Sequence, residues 1–395
     1  MKEKFLRELA DIQTGPFGSQ LHKEDYVADG TPIVTVEHLG NKMFSEQNLP
    51  RVSNTDKNRL KKYVLKQGDI VFSRVGSVDR CSYVDQKHDG WMFSGRCLRV
   101  RPTSEIDSEY LYYYFCLEET KQFVRNIAVG ATMPSINTKL LGEVVVTFPE
   151  LEQQKRISGI LSAIDSKIEV NQKINDNLEQ QAATYFQELF INNANPMWQI
   201  STISDLGTVV GGSTPSKTKP EYYTNNGIAW ITPKDLSINK SKFISHGEND
   251  ITELGLKNSS ATVMPKDTVL FSSRAPIGYI AIASNEVTTN QGFKSVIPYS
   301  EIGTAFVYFF LKHSLPVIES AASGSTFKEI SGSAMKNIPA IIPDRNTLDQ
   351  FNSFCAPIFA QQKILEEQNH SLAMLRDSLL PKLMSGAIDI ASIQL

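Results

Sequence analysis

Hydrophobic positions follow two different periods along the chain. In the first 149 residues, short runs rich in β-branched and aromatic residues are separated by turn-forming Gly, Pro and Asp. Three of these runs, Pro32–Val36, Asp69–Ser73 and Cys97–Val100, predict strands. The run Ser108–Leu117 instead predicts a helix with an aromatic face. We expect that face to pack in a core rather than to stack on bases, because Phe306–Leu311 repeats its bulk without its polarity.

Two longer segments have apolar residues spaced alternately four and three apart, from Leu151 to about Ile191 and from about Asn346 to Met384. This period is typical of a coiled-coil seam, and roughly forty residues at about 1.5 Å each give a helix of roughly 60 Å. Asn175 and Asn369 fall at equivalent seam positions, where an Asn weakens packing but fixes register and partner.

We predict that these two helices pair with each other in antiparallel orientation. The alternative is that the seams receive helices of another protein, and each alternative can apply to a different face. The positions assigned to the seam or to partner docking are Ile164, Ile168, Asn175, Leu178, Tyr185, Ile358, Leu365, Asn369, Leu372 and Leu379.

The chain contains an internal repeat. The segment Leu65–Gly76 returns as Val263–Gly278, and the Gly-rich polar segment Val129–Ser135 returns as Ser323–Glu329. In each half, the Gly-rich segment is followed by an apolar strand that ends in Pro, and a long helix follows that strand. The predicted fold class is therefore α+β, a pseudo-two-fold internal repeat of two homologous mixed α/β domains separated by two long antiparallel coiled-coil helices. We place the domains at residues 1–149 and 197–344, the proximal helix at 150–196, and the distal helix with the C-terminal tail at 345–395.

Composition is ordinary for a globular protein, with 41% hydrophobic and 21% charged residues among 395. The N-terminus lacks the apolar stretch of a signal peptide, and no apolar run approaches the ~18 residues of a membrane span, so we expect a cytoplasmic protein that binds no membrane. Four Cys residues without paired spacing predict neither a zinc site nor a disulfide framework. The net charge of −3 argues weakly against a free-standing nucleic-acid binder, although basic residues outnumber acidic residues between Arg51 and Arg80.

Two catalytic interpretations receive little support. The segment Gly211–Thr218 is similar to a phosphate-binding loop, but Pro220 and further turn residues follow where that chemistry needs a helix. Asp69, Asp85 and Lys87 match the two-acid-plus-lysine pattern of a metal-dependent nuclease. The second half offers no lysine in register, so this divergent nuclease remains an alternative. A duplicated scaffold protein that binds protein partners is another.

Recognition chemistry fits the loops better. Polar side chains lie beside glycines, where a backbone can approach a phosphate and side chains can reach base edges. We place Arg74 and Arg274 at the same repeat position, and each either contacts DNA or pairs with its nearby carboxylate, Asp69 or Asp267. The loops of the two halves differ in sequence, which predicts two different half-targets.

The candidate DNA-contacting residues lie in these loops. They are Ser19, Lys23, Arg74, Ser77, Arg80, Arg96, Thr132, Ser135, Asn137, Thr214, Lys217, Lys219, Lys234, Arg274, Tyr279, Asn290, Gln291, Lys294, Ser325, Thr326 and Lys328.

Nearly the whole chain resembles the specificity subunit of type I restriction-modification enzymes. The repeated segments Gly68–Gly76 and Asp267–Gly278 carry the resemblance, together with Gly324–Ile330, the helix start Pro149–Ile157 and the terminal Leu379–Gly386. One departure is that Asn290 and Gln291 have no counterpart near Phe93–Arg96, which puts in doubt any one-to-one transfer of base contacts between the halves.

The resemblance implies two target-recognition domains, each of which reads one half of a bipartite, asymmetric double-stranded DNA target. It also implies that the helices dock two methyltransferase (modification) subunits, and that restriction/translocase subunits complete the assembly. On this interpretation the chain is non-catalytic and holds no cofactor of its own, and S-adenosylmethionine, ATP and Mg are expected on the partner subunits.

Overall fold

The computed structural model describes residues 1–16, 18, 20–324 and 328–388. The chain divides into two compact units, each of which contains one end of each long helix. The first unit consists of Met1–Ile168 and Ser371–Leu395, and the second consists of Glu169–His370.

The first unit contains two four-stranded sheets and one strand pair. The strands are β1 Lys2–Phe5, β2 Ala10–Thr14, β3 Tyr26–Val27, β4 Thr31–Val34, β5 Arg51–Val52, β6 Ile70–Ser73, β7 Cys81–Tyr83, β8 Met92–Phe93, β9 Cys97–Pro102 and β10 Val145–Phe148. One sheet has the antiparallel order β2-β9-β6-β7, the other has the order β3-β5-β4-β8 with β4 and β8 parallel, and β1 pairs with β10. The shorter helices are α1 Leu6–Leu9, α2 Asn54–Arg59, α3 Ser108–Cys116, α4 Glu118–Ile127 and α5 Thr138–Gly142.

Strand β6 lies between two apolar cores, which explains its unbroken hydrophobic run. Ile70 and Phe72 belong to the core that α3 covers, while Val71 belongs to the second core of the unit. The ring of Phe72 meets the ring of Phe115 edge-on, with centroids 4.7 Å apart. Tyr110 is fully buried in the same core. The aromatic face of α3 therefore packs in a core, as its sequence predicts.

The second unit repeats this plan. Its strands are β11 Gln199–Thr202, β12 Gly207–Gly211, β13 Tyr223–Thr224, β14 Ile228–Ile231, β15 Phe243–Ile244, β16 Asn249–Ile251, β17 Val269–Ser273, β18 Ile277–Ala283, β19 Thr288–Thr289, β20 Lys294–Pro298 and β21 Pro339–Ile342. The sheets have the orders β12-β20-β17-β18-β15, with β18 and β15 parallel, and β13-β16-β14-β19, with β14 and β19 parallel, and β11 pairs with β21. The shorter helices are α7 Pro233–Ile238, α8 Glu253–Lys257, α9 Thr304–His313, α10 Leu315–Ala321 and α11 Gly332–Lys336.

The long helices α6 Leu151–Gln187 and α12 Arg345–Met384 run antiparallel in each unit. A π-helical turn, Glu188–Asn192, continues α6. In the second unit, Asn171 Nδ2 donates to Asn369 Oδ1 at 2.9 Å, and Gln362 Nε2 donates to the Asn175 carbonyl at 3.1 Å. In the first unit, Asp165 on α6 pairs with Arg376 on α12 at 2.8 Å.

Residue numbers rise on one helix as they fall on the other, so the predicted antiparallel pairing is confirmed. The Asn that faces Asn369 is Asn171. The side chain of Asn175 is half-buried. Each helix also closes an apolar core: Ile157 and Leu161 pack in the first unit, and Phe186 and Phe351 pack in the second. Among the described residues, no helix is long and apolar enough to span a bilayer.

Candidate nucleic-acid interface

Backbone hydrogen bonds join three loops of the first unit into one cluster. The loop after β6 donates from Arg74 N to the Arg96 carbonyl at 2.8 Å and accepts from Ile136 N at 2.9 Å. Gly76 N donates to the Pro134 carbonyl at 2.8 Å. We call this set of loops the first loop cluster; it comprises residues 74–80, 94–97 and 129–136. Six of the predicted DNA contacts lie in it, namely Arg74, Ser77, Arg80, Arg96, Thr132 and Ser135.

The same bonds recur in the second unit. Ser273 N donates to the Gly292 carbonyl at 2.7 Å, and Ile330 N donates to the Ser273 carbonyl at 3.1 Å. Ser213 N donates to the Thr289 carbonyl at 2.9 Å, which adds the loop after β12. The second loop cluster comprises residues 212–217, 273–278, 290–294 and the described residues 323–324 and 328–330.

Strand register corrects the predicted equivalence of Arg74 and Arg274. Phe72 pairs with Cys81 in β6–β7, and Phe271 pairs with Ile280 in β17–β18. Counted from these phenylalanines, Arg74 is two residues on, whereas Arg274 is three. Arg274 therefore occupies the place of Val75, which bridges Ser135 just as Arg274 bridges Glu329. The two arginines therefore occupy backbone positions that differ by one residue. The Ser-Arg pair that occurs in both halves of the sequence concealed this offset.

The positive φ of the next residue supports this register. Gly76 has φ +75°, and Ala275 has φ +55° at the equivalent place. A left-handed residue at this point turns the chain out of the strand in both units. The turn brings the following loop against its neighbours within each cluster.

Neither arginine pairs with the aspartate proposed as its neighbour. Arg74 Nη1 donates to the Gly95 carbonyl at 3.1 Å. Arg274 Nη1 lies 3.2 Å from Glu329 Oε2. Asp69 is occupied instead by Arg101, which it binds through both carboxylate oxygens at 2.7 and 2.6 Å. The pairing of each arginine with Asp69 or Asp267 is therefore wrong.

The second loop cluster has a charge arrangement that the first lacks. Glu329 lies between Arg274, at 3.2 Å, and Lys294, at 3.7 Å. Its structural equivalent in the first unit is Ser135, whose hydroxyl donates to the Val129 carbonyl at 3.2 Å. The Arg96 guanidinium is exposed and has no hydrogen bond or ion pair within the described ranges.

Asn290 and Gln291 do have structural counterparts. Asn290 N donates to the Ile231 carbonyl at 3.0 Å, as Ser94 N does to the Val34 carbonyl at 2.9 Å. Asn290 thus occupies the place of Ser94, and Gln291 that of Gly95. The Gln291 side chain accepts a hydrogen bond from the Thr214 hydroxyl, which ties two loops of the cluster together. The expectation that these residues lack a counterpart is wrong, because parallel β4–β8 and β14–β19 pairing aligns segments of unlike sequence.

Several predicted contacts have structural partners of their own. Asn137 Oδ1 accepts from Leu140 N at 2.9 Å and so caps α5. Lys234 pairs with Glu248 at 2.5 Å on the surface. The Arg80 guanidinium donates to the Leu39 carbonyl, and Gly40 leaves the room for it, since a Cβ there would lie 2.6 Å from that guanidinium. Lys219 lies over the Tyr222 ring at 5.3 Å.

The remaining predicted contacts are placed as follows. Tyr279 is half-buried in β18, and Lys217 and Lys328 are exposed. Ser19, Ser325 and Thr326 lie outside the described residues, as does the side chain of Lys23.

The nuclease alternative is not supported by the geometry, because each of its three residues is engaged elsewhere. Asp69 is 1% exposed and binds Arg101. Asp85 caps the turn at His88, accepting from its backbone N at 3.0 Å. Lys87 pairs with Glu46 at 2.5 Å. Among the described residues, no group of three His, Cys, Asp or Glu side chains could hold a metal ion.

Two features of the clusters escaped sequence reasoning. Gly15 packs against the loop that contains Ser94, and Gly212 packs against the loop that contains Asn290. A Cβ on either glycine would lie 2.1 Å from the carbonyl oxygen of Ser94 or Asn290, respectively. Trp230 Nε1 donates to the Ser213 carbonyl at 3.0 Å and shapes the loop after β12. The glycines at matching points of both halves were a usable signal, whereas nothing near Trp230 in sequence indicated its role.

The chain matches the family described as type I restriction modification DNA specificity domain, over residues 1–180 and 195–369. The chain belongs to this type I DNA specificity family. Its two matches correspond to the two halves of the repeat, so the type I specificity fold is present twice. The interpretation as a specificity subunit of a type I restriction-modification system is confirmed over the scaffold and nuclease alternatives.

Relatives in the type I specificity family match this chain over different lengths. The HindI specificity subunit of Haemophilus influenzae is 24% identical over 83% of this chain and 88% of its own length. The MjaIX specificity subunit of Methanocaldococcus jannaschii is 43% identical, but over 40% of this chain and 37% of its own length. A crystal structure of the type I S subunit from M. genitalium covers 97% of this chain and 95% of its own, with a TM-score of 0.59 and 17% identity. That structure supports the fold.

Proposed function

We propose that each domain reads one half of a bipartite, asymmetric double-stranded DNA target through its loop cluster. The observation that carries this proposal is that one backbone frame presents different side chains at equivalent points. Ser135 is replaced by Glu329, and Val75 by Arg274. Ser94 is replaced by Asn290, with the same backbone hydrogen bond to the preceding parallel strand.

Such differences select different bases. Asn and Gln recognise adenine edges, Arg and Lys recognise guanine, and a carboxylate accepts from cytosine. The second loop cluster offers all three classes in Asn290, Gln291, Arg274, Lys294 and Glu329. The first offers chiefly Arg74 and Arg96 with hydroxyl groups. Two unlike readers in one chain account for an asymmetric target.

The long helices are proposed to dock two methyltransferase subunits. Apolar side chains remain exposed on them outside the seam, namely Val170, Ile174, Ile364, Met374 and Leu375. A shallow groove on α6 is lined by Val170, Ile174 and Leu178 together with polar neighbours. Exposed apolar side chains that are contiguous on a helix are typical of a protein-protein contact. Restriction/translocase subunits would complete the assembly.

The chain itself is proposed to be non-catalytic and cytoplasmic. S-adenosylmethionine, ATP and Mg then belong to the partner subunits. The relatives that match are named as specificity subunits, and the acids of the nuclease alternative are committed to internal partners. With a net charge of −3, the chain alone would bind DNA weakly and with strong salt dependence, and partner subunits would supply further phosphate contacts.

A domain exchange tests this proposal. Residues 1–149 are replaced by the matching domain of a relative with a different target, and the hybrid is co-expressed with the methyltransferase subunits. Mapping of methylated positions should show that one half of the target sequence changes and the other stays. Exchange of residues 197–344 is the matched control and should change the other half. Unchanged methylation after both exchanges would instead support a scaffold role.

A further inference from the structure

Lys242 is a buried lysine of the second recognition domain that none of the DNA-reading arguments uses. It immediately precedes β15, at the edge of the five-stranded sheet. Its side chain is 5% exposed. The ammonium group lies 4.0 Å from the centre of the Phe359 ring and 4.8 Å from that of Tyr308. A lysine so enclosed is rare unless it is paired.

The Lys242 ammonium joins both long helices. It forms an ion pair with Glu179 of α6, and it donates to Gln362 Oε1 of α12 at 2.6 Å. Glu366, one turn further along α12, accepts from Lys242 N at 2.8 Å and from Phe243 N at 3.0 Å. One short segment of the recognition domain is therefore held by its side chain and its backbone to two helices at once.

The ion pairs in this site oppose the effect of burial on the pKa of both Lys242 and Glu179. Burial lowers the pKa of the Lys242 amine, and the Glu179 carboxylate opposes that shift. Burial alone would raise the pKa of Glu179, but Lys242 and Lys312 together bring it below its ordinary value. Lys312 Nζ lies 2.6 Å from Glu179 Oε1. Glu179 thus keeps a lysine partner even when Lys242 is replaced.

The first unit places a lysine at the equivalent point but anchors it differently. The Lys42 carbonyl accepts from Tyr83 N at 2.8 Å, as the Lys242 carbonyl accepts from Ile282 N at 2.7 Å. Tyr83 and Ile282 hold the same register in β7 and β18. Lys42, however, binds Glu109 and Tyr113 of its own domain, at 2.8 and 3.2 Å.

Contact with the helices in the first unit is indirect. Tyr113 OH donates to Asp165 of α6 at 2.5 Å, and Asp165 pairs with Arg376 of α12. The Lys42 side chain is 15% exposed, three times as much as that of Lys242. Lys42 therefore provides a matched control at the same position of the repeat, without a direct bond to either helix.

Stability alone does not explain the buried ion pair. Replacement of such a pair by apolar groups of similar volume is often neutral or stabilising. The directional contacts to the two long helices fix orientation instead, because an apolar side chain could slide among the same rings. We propose that Lys242 is a positioning residue that fixes the second recognition domain on the helix pair and thereby sets how strictly the gap between half-sites is selected.

This inference rests on the proposed function, and its test separates the two. Lys242→Met keeps the volume and the contact with the rings. It removes the side-chain bonds to Glu179 and Gln362, whereas the backbone bonds to Glu366 remain. The full chain is co-expressed with methyltransferase subunits and assayed on DNA in which the two half-sites found for the wild type are separated by gaps varied in single base pairs. We expect methylation at the native gap to stay within about twofold, and discrimination against gaps one base pair longer or shorter to fall about five- to tenfold.

Lys42→Met should leave the gap profile of the wild type unchanged. Gln362→Met removes one acceptor of the Lys242 ammonium and also the donor to the Asn175 carbonyl. It keeps the pair between Lys242 and Glu179, so it should shift the profile in the same direction by a smaller factor. This second variant keeps the test informative if Lys242→Met fails to fold. A wild-type gap profile in both Lys242→Met and Gln362→Met would overturn the proposal.

Hydrogen exchange of the isolated full-length chain supplies a readout that needs no DNA. Amides of segment 240–246 should exchange faster in Lys242→Met than in the wild type, and at the wild-type rate in Lys42→Met. Unchanged exchange in Lys242→Met would also overturn the positioning role. If the wild type methylates a single uninterrupted sequence, the proposed bipartite function fails, and the exchange rates still decide whether Lys242 holds the domain.

Discussion

Asp69→Asn separates a structural from a catalytic role for the acid at the start of β6. Asp69 is 1% exposed and binds Arg101 through both oxygens, at 2.7 and 2.6 Å. Its Oδ2 also accepts from Lys66 N at 2.7 Å. The hydrogen bond to Asp69 raises the pKa of Arg101, so the guanidinium stays charged and needs its partner. An asparagine would turn an amide donor towards one of the guanidinium donors.

The expected cost follows from this geometry. Breaking a fully buried ion pair costs about 3–5 kcal/mol. The Arg101 side chain is 30% exposed and regains some water, so we expect about 2 kcal/mol for Asp69→Asn. With an m-value of about 3 kcal/mol/M, the urea midpoint of the first unit falls by roughly 0.7 M.

Segment-resolved hydrogen exchange across a urea series measures that midpoint for each unit. Glu150→Gln is the matched control, because it makes the same chemical change in an exposed pair with Lys2, and it should leave the midpoint where it is. Methylation per folded molecule should be unchanged in both variants. The reasoning would be refuted by two results together: a urea midpoint that Asp69→Asn leaves unchanged, and a metal-dependent DNA cleavage that the wild-type chain shows and Asp69→Asn lacks.

Three further predictions concern the loop clusters and the thiols. Glu329→Gln removes the carboxylate between Arg274 and Lys294 and should relax base specificity about tenfold at one position of one half-site. Methylation of a degenerate DNA library measures this specificity, and relaxation in both half-sites would contradict the prediction. Arg96→Ala removes a base-reading arginine of the first loop cluster and should cost about 1–3 kcal/mol of discrimination at one position of the other half-site, measured with the same library; unchanged specificity at every position would contradict it. Burial raises the pKa of Cys97 and Cys355 to about 12, so both should react slowly with iodoacetamide at pH 8 until the chain is unfolded, and rapid native labelling at either would argue against the packing described.

Sequence periodicity predicted the elements that bury apolar surface. The strand at Asp69–Ser73 and the aromatic helix after Ser108 occur within a residue or so of their predicted bounds. The two seams predicted paired helices, because a spacing of four and three places one stripe against a partner. These features depend on local patterns that are visible in one stretch of chain.

The candidate sites depend on register between distant segments, and there sequence reasoning was weaker. Arg74 and Arg274 have similar neighbours in sequence, but their positions differ by one residue once β6 and β17 are aligned by their pairing partners. Asn290 and Ser94 lie in segments of unlike sequence but occupy equivalent backbone positions. A single residue of offset moves a side chain to the other face of a strand or loop, so it alters which groups can meet DNA.

The burial of charged residues was the other feature that the sequence did not predict. Asp69 was a candidate metal ligand because Asp69, Asp85 and Lys87 match a two-acid-plus-lysine pattern. The sequence does not show that β9, which carries its partner Arg101, lies beside β6. Lys242 lies in a polar stretch that is typical of a surface loop, yet its side chain contacts residues of three helices, α6, α9 and α12. In both cases the pairing partner is far away in sequence.

The central claim is that one chain reads two unlike half-sites with a fixed gap. Co-expression of the chain with methyltransferase subunits, followed by mapping of every methylated position in the host DNA, tests it most directly. The account predicts a single asymmetric target made of two specified segments separated by a constant number of unspecified base pairs. One uninterrupted or palindromic target, or methylation independent of this chain, would contradict it.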